Sequence, residues 1–366
     1  MAFTVSFRKN LLGIKPYVPG KPIEDLEREL GIKNASKLAS NENPLGPSPK
    51  ALQAIENALP KIHRYPDGGA FSLSQALARH LGVNPNQLLL GHGSNELIVR
   101  LGQMVLEPGD EVICAEPGFF VYSSTALLCE AVPLAQPLRD YTHDLKLFER
   151  AINHKTKIVF IANPNNPTGT MIPLSEIEIF LKACPSHVLV VLDEAYYEYV
   201  DDPGYFESIK LLPKYPNLVI LRTFSKAFGL AGLRVGYGIA QPELVEVFHK
   251  IREPFNVNGL AMAAAEAALT DLAHVKKVVD LNKVMRKKLF EGLVRMGLKP
   301  APTQTNFVYV ELEKASSLYE QLLKKGIIVR PMGPKALRIT TGTEDETERF
   351  LKVFEGLLMS SGVPKS

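Results

Sequence analysis

The stretch HVLVVLDEAYYEY, His187 to Tyr199, is an apolar run that ends on two acids. A strand with one wet face alternates apolar and polar residues, whereas a run apolar at successive positions is buried on both faces. Six further segments are of the same kind: QLLLGHGS, DEVICAEP, AVPLAQPL, KIVFIANP, NLVILRTFS and RVGYGIA. Between them lie NELIVRLGQMVL, FFVYSSTALLCE, DLKLFERAIN and LSEIEIFLKACP, whose apolar residues recur at helical spacing. The alternation predicts an α/β fold, with a mostly parallel seven-stranded sheet between layers of helices.

From about Pro242 the pattern changes. PELVEVFHKIREP and the Ala-rich LAMAAAEAALTD lead into one long helical stretch, HVKKVVDLNKVMRKKLFEGLVRMG. TNFVYVEL, SLYEQLLKKG, IIVRPM, LRITTG and EDETERFLKVFEGLL then read as strand, helix, strand, strand and helix. That is a smaller α/β domain joined by a helix. The expected division is an N-terminal arm over residues 1–35, a large domain over 36–260 and a small C-terminal domain over 261–366.

With 46% apolar and 22% charged residues the chain has the makings of a globular core. A net charge of +3, with no basic run interleaved with aromatics, makes nucleic acid a poor partner. Cys114, Cys129 and Cys184 are odd in number and form no CxxC, so we expect a reducing compartment, no disulfide framework and no metal. MAFTVSFRKN lacks the apolar core of a signal peptide, and no segment approaches the ~18 apolar residues of a membrane span. The expectation is a cytoplasmic protein without a membrane partner.

Four features stand at predicted strand ends, the edge where open α/β sheets bind ligands. Asp193 closes the opening stretch; a carboxylate there is partly desolvated and needs a cation, which a protonated pyridine nitrogen supplies. Tyr196, three residues on, can place its hydroxyl on the same ligand. In TFSKAFGLAGLRVGYG, Thr223 to Gly238, Lys226 is placed for Schiff-base chemistry, with Thr223, Ser225 and Arg234 able to hold a phosphate. In ANPNNPTG the amide of Asn166 sits in a turn set by prolines and can bond a phenolic oxygen. GHGSNE opens a helix, and its N-terminus with Ser94 and Asn95 can bind phosphate. Taken singly, each has an ordinary reading: a surface lysine, a solvated strand-end acid, a turn, an N-cap at Ser94. GHGSNE lacks the third glycine of a dinucleotide fingerprint. Together, phosphate cup, nitrogen partner, phenol partner and amine describe the requirements of pyridoxal 5′-phosphate.

TFSKAFGLAGLRVGY, IKPYVPGKPIEDLERELG, KLASNENPLGPSP, HRYPDGG, ANPNNPTG, LDEAYYEY and VRPMGPKALRITTGT resemble, nearly end to end, the fold-type I aminotransferases dependent on pyridoxal phosphate, specifically the histidinol-phosphate aminotransferase group. The resemblance implies that Lys226 is the covalent handle and proton shuttle. It implies that Asp193 pairs with the pyridine nitrogen, and that Asn166 and Tyr196 bind the phenolic oxygen. Ser94, Asn95, Thr223, Ser225 and Arg234 are implied to hold the phosphate, and Phe119 of EPGFFVY to stack on the ring. Tyr65 of HRYPDG is implied to reach the phosphate from a neighbouring subunit, hence a homodimer with shared sites. Arg338 is implied to bind the donor's carboxylate, and Tyr17 and Arg330 the substrate's distal anion or ring. Where relatives often read G-N-G-S-D-E, this chain has Gly91-His92-Gly93-Ser94-Asn95-Glu96. His92 reads as a packed turn residue.

The implied reaction is transfer of the amino group of L-histidinol phosphate to 2-oxoglutarate, giving imidazole acetol phosphate and L-glutamate in histidine biosynthesis. Alternatives on the same fold are an aromatic aminotransferase acting on phenylalanine or tyrosine, and a phosphothreonine-type decarboxylase. A non-catalytic regulator of this fold is expected to carry an added DNA-binding domain, and only about 40 residues precede ASNENPLGP.

Overall fold

The computed structural model describes residues 6–205 and 207–361, the side chain of residue 361 excepted. The first five residues of the expected arm, part of the segment read for a signal peptide, and the last five of the small domain lie outside it.

The larger sheet, with strands numbered along the chain, runs β2 (Leu88–Gly91), β9 (Gly236–Ile239), β8 (Leu218–Thr223), β7 (Leu189–Asp193), β6 (Thr156–Ala162), β3 (Glu111–Glu116), β4 (Val132–Arg139) and β5 (Thr142–His143). All seven expected strands are present. The eighth, β5, is a two-residue return antiparallel to the end of β4, too short to show a period in the sequence. Strands β4, β3, β6, β7 and β8 run parallel, and β9 is antiparallel to both β2 and β8.

Successive side chains of these strands enter different cores, as a period of two requires. Leu189 and Val191 of β7, with Val219 and Leu221 of β8, face Leu97, Leu101, Tyr122 and Phe248. Those four come from α4 (Ser94–Val105), α5 (Val121–Leu128) and α8 (Pro242–Ile251). Val190 and Leu192, with Leu218 and Ile220, face the other layer. That layer is α2 (Pro49–Ala58), α3 (Phe71–Leu81), α6 (Leu145–Ala151), α7 (Leu174–Ala183) and α9 (Gly259–Leu269). A fully buried aliphatic side chain contributes roughly 1.5–3 kcal/mol, and these strands hold little else.

The smaller sheet has the order β1 (Ser36–Leu38), β11 (Ile327–Pro331), β12 (Ala336–Thr340) and β10 (Phe307–Glu311). Val308, Val310 and Leu337 pack under α10 (Leu272–Arg295), α11 (Ala315–Lys324) and α12 (Glu344–Ser361), while α1 (Ile23–Leu30) places Leu26 against Ile328 and Ala39. Helix α10 joins the two cores: Val275 and Val278 lie in the larger, Leu289 and Leu293 in the smaller. Two elements cross the expected divisions. Ser36–Leu38 pairs in parallel with β11 of the smaller sheet, and α9 packs on α2 and α3 across residue 260. We propose that the large unit runs from Ala39 to Leu269.

The same parity sets up a buried ion pair. Beyond the apolar part of β7, Glu194 falls on the side of Val190 and Leu192. Arg222 of β8 falls on the side of Leu218 and Ile220, and its Nε donates to Glu194 Oε2 at 2.8 Å. Tyr205 donates to the other carboxylate oxygen at 2.5 Å, and the Arg222 guanidinium lies 3.5 Å from the Tyr197 ring centroid. Removing one member strands the other charge in a dry site. Arg222→Ala is expected to lower the unfolding free energy by about 3–5 kcal/mol, read as a lower denaturant midpoint. A loss below about 1 kcal/mol, the scale of an exposed pair, would show that the pair is effectively solvated.

Candidate active site

A cavity of about 1020 Å³ opens at the carboxyl ends of β6, β7 and β8, closed from the opposite side by β11–β12 and by residues 13–18 of the N-terminal arm. Each strand delivers a chemical group where its apolar run stops. β7 presents Asp193, β8 presents Thr223, Ser225 and Lys226, and the turn after β6 presents Asn166.

Lys226 is half-buried, and its Nζ donates to the Ser40 carbonyl at 3.3 Å. Burial lowers this ammonium to about 8; the Arg338 charge adds to the effect, and Glu42 and Asp193 oppose it. A lysine so placed holds a usable fraction of neutral, nucleophilic amine near neutral pH. Gly229, three residues on, has φ +72°, and a Cβ there would stand 2.5 Å from the Gly46 carbonyl oxygen, so only glycine lets the turn close.

Asp193 is buried. Its Oδ2 accepts from the Tyr122 hydroxyl at 2.8 Å and its Oδ1 from the Ala195 N–H at 3.1 Å. Burial raises the carboxyl to about 6 despite both donors, which favour the anion. A cation brought against it would restore the charge. Tyr122 was not among the expected site residues. It follows Phe119 by three positions, in a turn closed by its N–H donating to the Phe119 carbonyl at 3.1 Å, and the two rings meet edge to face at 5.5 Å.

Tyr196 is buried, with its hydroxyl oxygen accepting from Asn41 Nδ2 at 2.7 Å. Burial raises this phenol, against the Arg338 charge and the Asn41 hydrogen bond. Asn166 Oδ1 accepts from the Arg338 guanidinium at 2.5 Å, and Arg338 also donates to the Ala39 carbonyl at 2.8 Å. Arg338 Nε is buried and has no partner among the described residues. Ser40 and Asn41, also cavity residues, lie in ASNENPLGP, a segment whose sequence gave no chemical signal of its own.

The third group surrounds the start of α4. Gly93 is the N-cap residue, at φ +76°, and Ser94 is the first helical residue, so Ser94 does not serve as the cap. The Arg234 guanidinium lies against Gly93: a Cβ there would stand 2.7 Å from one guanidinium nitrogen. Arg234 donates to the Ala231 carbonyl at 3.0 Å and to Ser225 Oγ at 3.4 Å. Ser94, Asn95, Thr223, Ser225 and Arg234 therefore share one end of the cavity with a helix N-terminus, an anion-binding arrangement. His92 is exposed, and its backbone N–H donates to Glu96.

Phe119 lies on the cavity wall beside these groups. Tyr17 stacks on Phe120 at 4.9 Å, and Arg330 lies over the Tyr17 ring at 5.3 Å, so arm, large sheet and small sheet meet there. Tyr65 is the expected residue that the structure leaves outside: it is 83% exposed, stacked on Phe255, and not part of the cavity wall. Lys15, Lys226, Arg234, Arg330 and Arg338 line the cavity with Asp193 as its one acidic residue. Among the described residues none of the three arginines is paired with a carboxylate. This wall fits a ligand with an anion at the α4 end and a basic ring nitrogen at Asp193, and a second anion at Arg338.

The family description "Aminotransferase class I and II" matches residues 33–354. Histidinol-phosphate aminotransferase 1 of Nitrosococcus oceani is 47% identical over 94% of this chain and 95% of its own length. The histidinol-phosphate aminotransferase of Moorella thermoacetica is 46% identical over 96% of this chain and 92% of its own. The crystal structure of histidinol-phosphate aminotransferase from Sinorhizobium meliloti in complex with pyridoxal-5′-phosphate superposes with a TM-score of 0.90 at 32% identity, covering 98% of this chain and 99% of that one.

The electrostatics of Lys226 are open to direct measurement in the protein stripped of small molecules. Labelling by an amine-selective reagent, followed at the Lys226 peptide, is expected to rise with a midpoint near pH 8. Asp193 stabilises the ammonium, so Asp193→Asn is expected to move the midpoint lower still. A midpoint near that of ordinary lysines, about 10.4, would show that the amine is not desolvated.

Proposed function

The chain belongs to the class I and II aminotransferases, and on that premise we propose that it transfers the amino group of L-histidinol phosphate to 2-oxoglutarate, giving imidazole acetol phosphate and L-glutamate. Pyridoxal 5′-phosphate is the cofactor. The observation that carries the reading is the juxtaposition, in one cavity, of a lysine of lowered pKa, a buried carboxylate awaiting a cation, and arginines at two separate places.

When bound, the cofactor's ring system supplies an electron sink for the carbanion at the substrate's α-carbon. The chain's part follows from its own groups. Ser94, Asn95, Thr223, Ser225 and Arg234 hold the cofactor phosphate. Asp193, ionised, keeps a proton on the ring nitrogen, and Tyr122 holds that carboxylate in place. Asn166 presents its Nδ2 and Tyr196 its hydroxyl to the phenolic oxygen, and Phe119 covers the ring. Lys226 would be the covalent anchor, and its Nζ, when free, stands to take up the substrate's α-proton as general base. L-Histidinol phosphate has no carboxylate, so its phosphate ester is the anion that Arg338 binds in that half-reaction, and the α-carboxylate of 2-oxoglutarate replaces it in the other. Tyr17 and Arg330 meet the distal end of either molecule.

Tyr65 acts from a second copy of the chain in a homodimer with shared sites. Supporting this, Leu59, Ile62, Tyr65, Phe71 and Phe255 are all exposed, with Tyr65 and Phe255 stacked at 4.7 Å. Among the described residues no helix is long and apolar enough to cross a membrane, and all three cysteines are free thiols. We place the enzyme in the cytoplasm, where such thiols stay reduced.

Lys226→Ala is expected to lower kcat by at least about 10²–10⁴-fold, the worth of a positioned proton carrier; full transamination by that variant would sink the mechanism. For the substrate, kcat/KM for L-histidinol phosphate is expected to exceed that for phenylalanine with 2-oxoglutarate as acceptor. A preference for phenylalanine of more than about tenfold, or 1.4 kcal/mol, reassigns the enzyme to aromatic amino acids.

A further inference from the structure

Asn41 ties the smaller sheet to the reacting end of the larger one. Its Nδ2 donates to the Tyr196 hydroxyl oxygen at 2.7 Å. Its backbone N–H donates to Thr340 Oγ1 at 3.0 Å, and Thr340 Oγ1 donates to Asn41 Oδ1, also at 3.0 Å. Asn306 Nδ2, from the edge of β10, donates to the Asn41 carbonyl at 3.0 Å. Asn41, Thr340, Asn306 and Tyr196 are all buried.

These bonds settle the direction of one proton. A hydroxyl has a single proton to give. Thr340 gives its proton to Asn41 Oδ1; turning the amide over would take that acceptor away from a buried proton and set the amide nitrogen in its place, a costly exchange. The amide nitrogen therefore faces Tyr196, and the Tyr196 oxygen accepts. The Tyr196 proton is then free, and Tyr196 lines the cavity.

We propose that Asn41 is a positioning residue of the reaction: held by Thr340, it donates to the Tyr196 oxygen and so directs the single Tyr196 proton into the cavity, toward an oxyanion bound there. The proposal rests on the reading that this oxyanion is the phenolic oxygen of the cofactor. Aspartate at position 41 is isosteric and tolerates the left-handed backbone, φ +56°, found there. It replaces the donor by an acceptor, so Tyr196 donates to the new carboxylate and the phenolic oxygen loses its donor.

A donor to an oxyanion favours the deprotonated form. The test is the pH titration of the visible absorption of the holoenzyme, whose midpoint reports protonation of the bound cofactor. Asn41→Asp is expected to raise the midpoint by about one unit and to weaken pyridoxal phosphate binding to the apoprotein; Thr340→Val, which frees the amide to turn, is expected to raise it by less. In a Tyr196→Phe background Asn41→Asp is expected to add less than half of its shift. If Tyr196→Phe leaves the midpoint in place, the assignment of Tyr196 to the phenolic oxygen fails, and the proposal with it. If Tyr196→Phe moves the midpoint while Asn41→Asp does not, or moves it equally with and without the hydroxyl, the role of Asn41 is overturned and the cofactor assignment stands. Should Asn41→Asp not fold, an unmoved midpoint in Thr340→Val overturns the proposal alone.

Discussion

Asp193 stands at the end of a fully buried strand with a tyrosine hydroxyl and one backbone N–H as its donors, and no ion pair joins it to a lysine or arginine among the described residues. The next residue, Glu194, is at least as deeply buried and has Arg222 against it. The difference is the two-residue period of the strand. Glu194 turns toward the layer where Arg222 also points, and their charges cancel inside the protein. Asp193 turns toward the cavity, where the cancelling charge has to come from a ligand. One acid completes the scaffold and its neighbour leaves the site incomplete without a bound cation.

The rest of the cavity carries the opposite imbalance. Arg234 sits at a helix N-terminus, two positive features together, and donates to a carbonyl and a serine hydroxyl. Arg338 spends its donors on a carbonyl and an amide oxygen. Uncompensated cations cost least where an anion is to be bound, which favours the proposed placement: anion at α4, cationic nitrogen at Asp193, anion at Arg338. Lys226 stands among them, and the same burial that discourages its charge makes it reactive.

Much of this was legible in the sequence because it follows short-range rules. The seven long strands of the larger sheet show as apolar runs, and the groups that matter stand where those runs stop. Helices α4 to α12 show as periodic segments. Elements without a period did not show. β1 has three residues and pairs with a strand almost the whole chain later, and β5 has two. The site residues missed were of the same kind. Tyr122 reads as one more aromatic on an amphipathic helix, and only the fold sets its hydroxyl on Asp193. Asn41 lies in a loop whose partners come from distant places, Tyr196 from the turn after β7 and Thr340 from the end of β12. Tyr65 matched a site motif, yet on this chain it lies at the surface, stacked on Phe255, where no local pattern of its segment reveals its role.

The two donors assigned to the phenolic oxygen share a feature beyond their aim. Asn166 has its carbonyl oxygen occupied by Arg338, which leaves its NH₂ to face the cavity. Tyr196 has its oxygen occupied by Asn41, which Thr340 holds. Arg338 and Thr340 are two residues apart on β12, hence on one face of the same strand of the smaller sheet. Arg338 is also the residue proposed to draw the anion of either substrate. A phosphate or carboxylate arriving at the guanidinium would share its five N–H donors with Asn166 and the Ala39 carbonyl. On the proposed assignments, one short strand thus carries both the residue that meets the substrate anion and the residues that orient the two donors to the cofactor's oxygen.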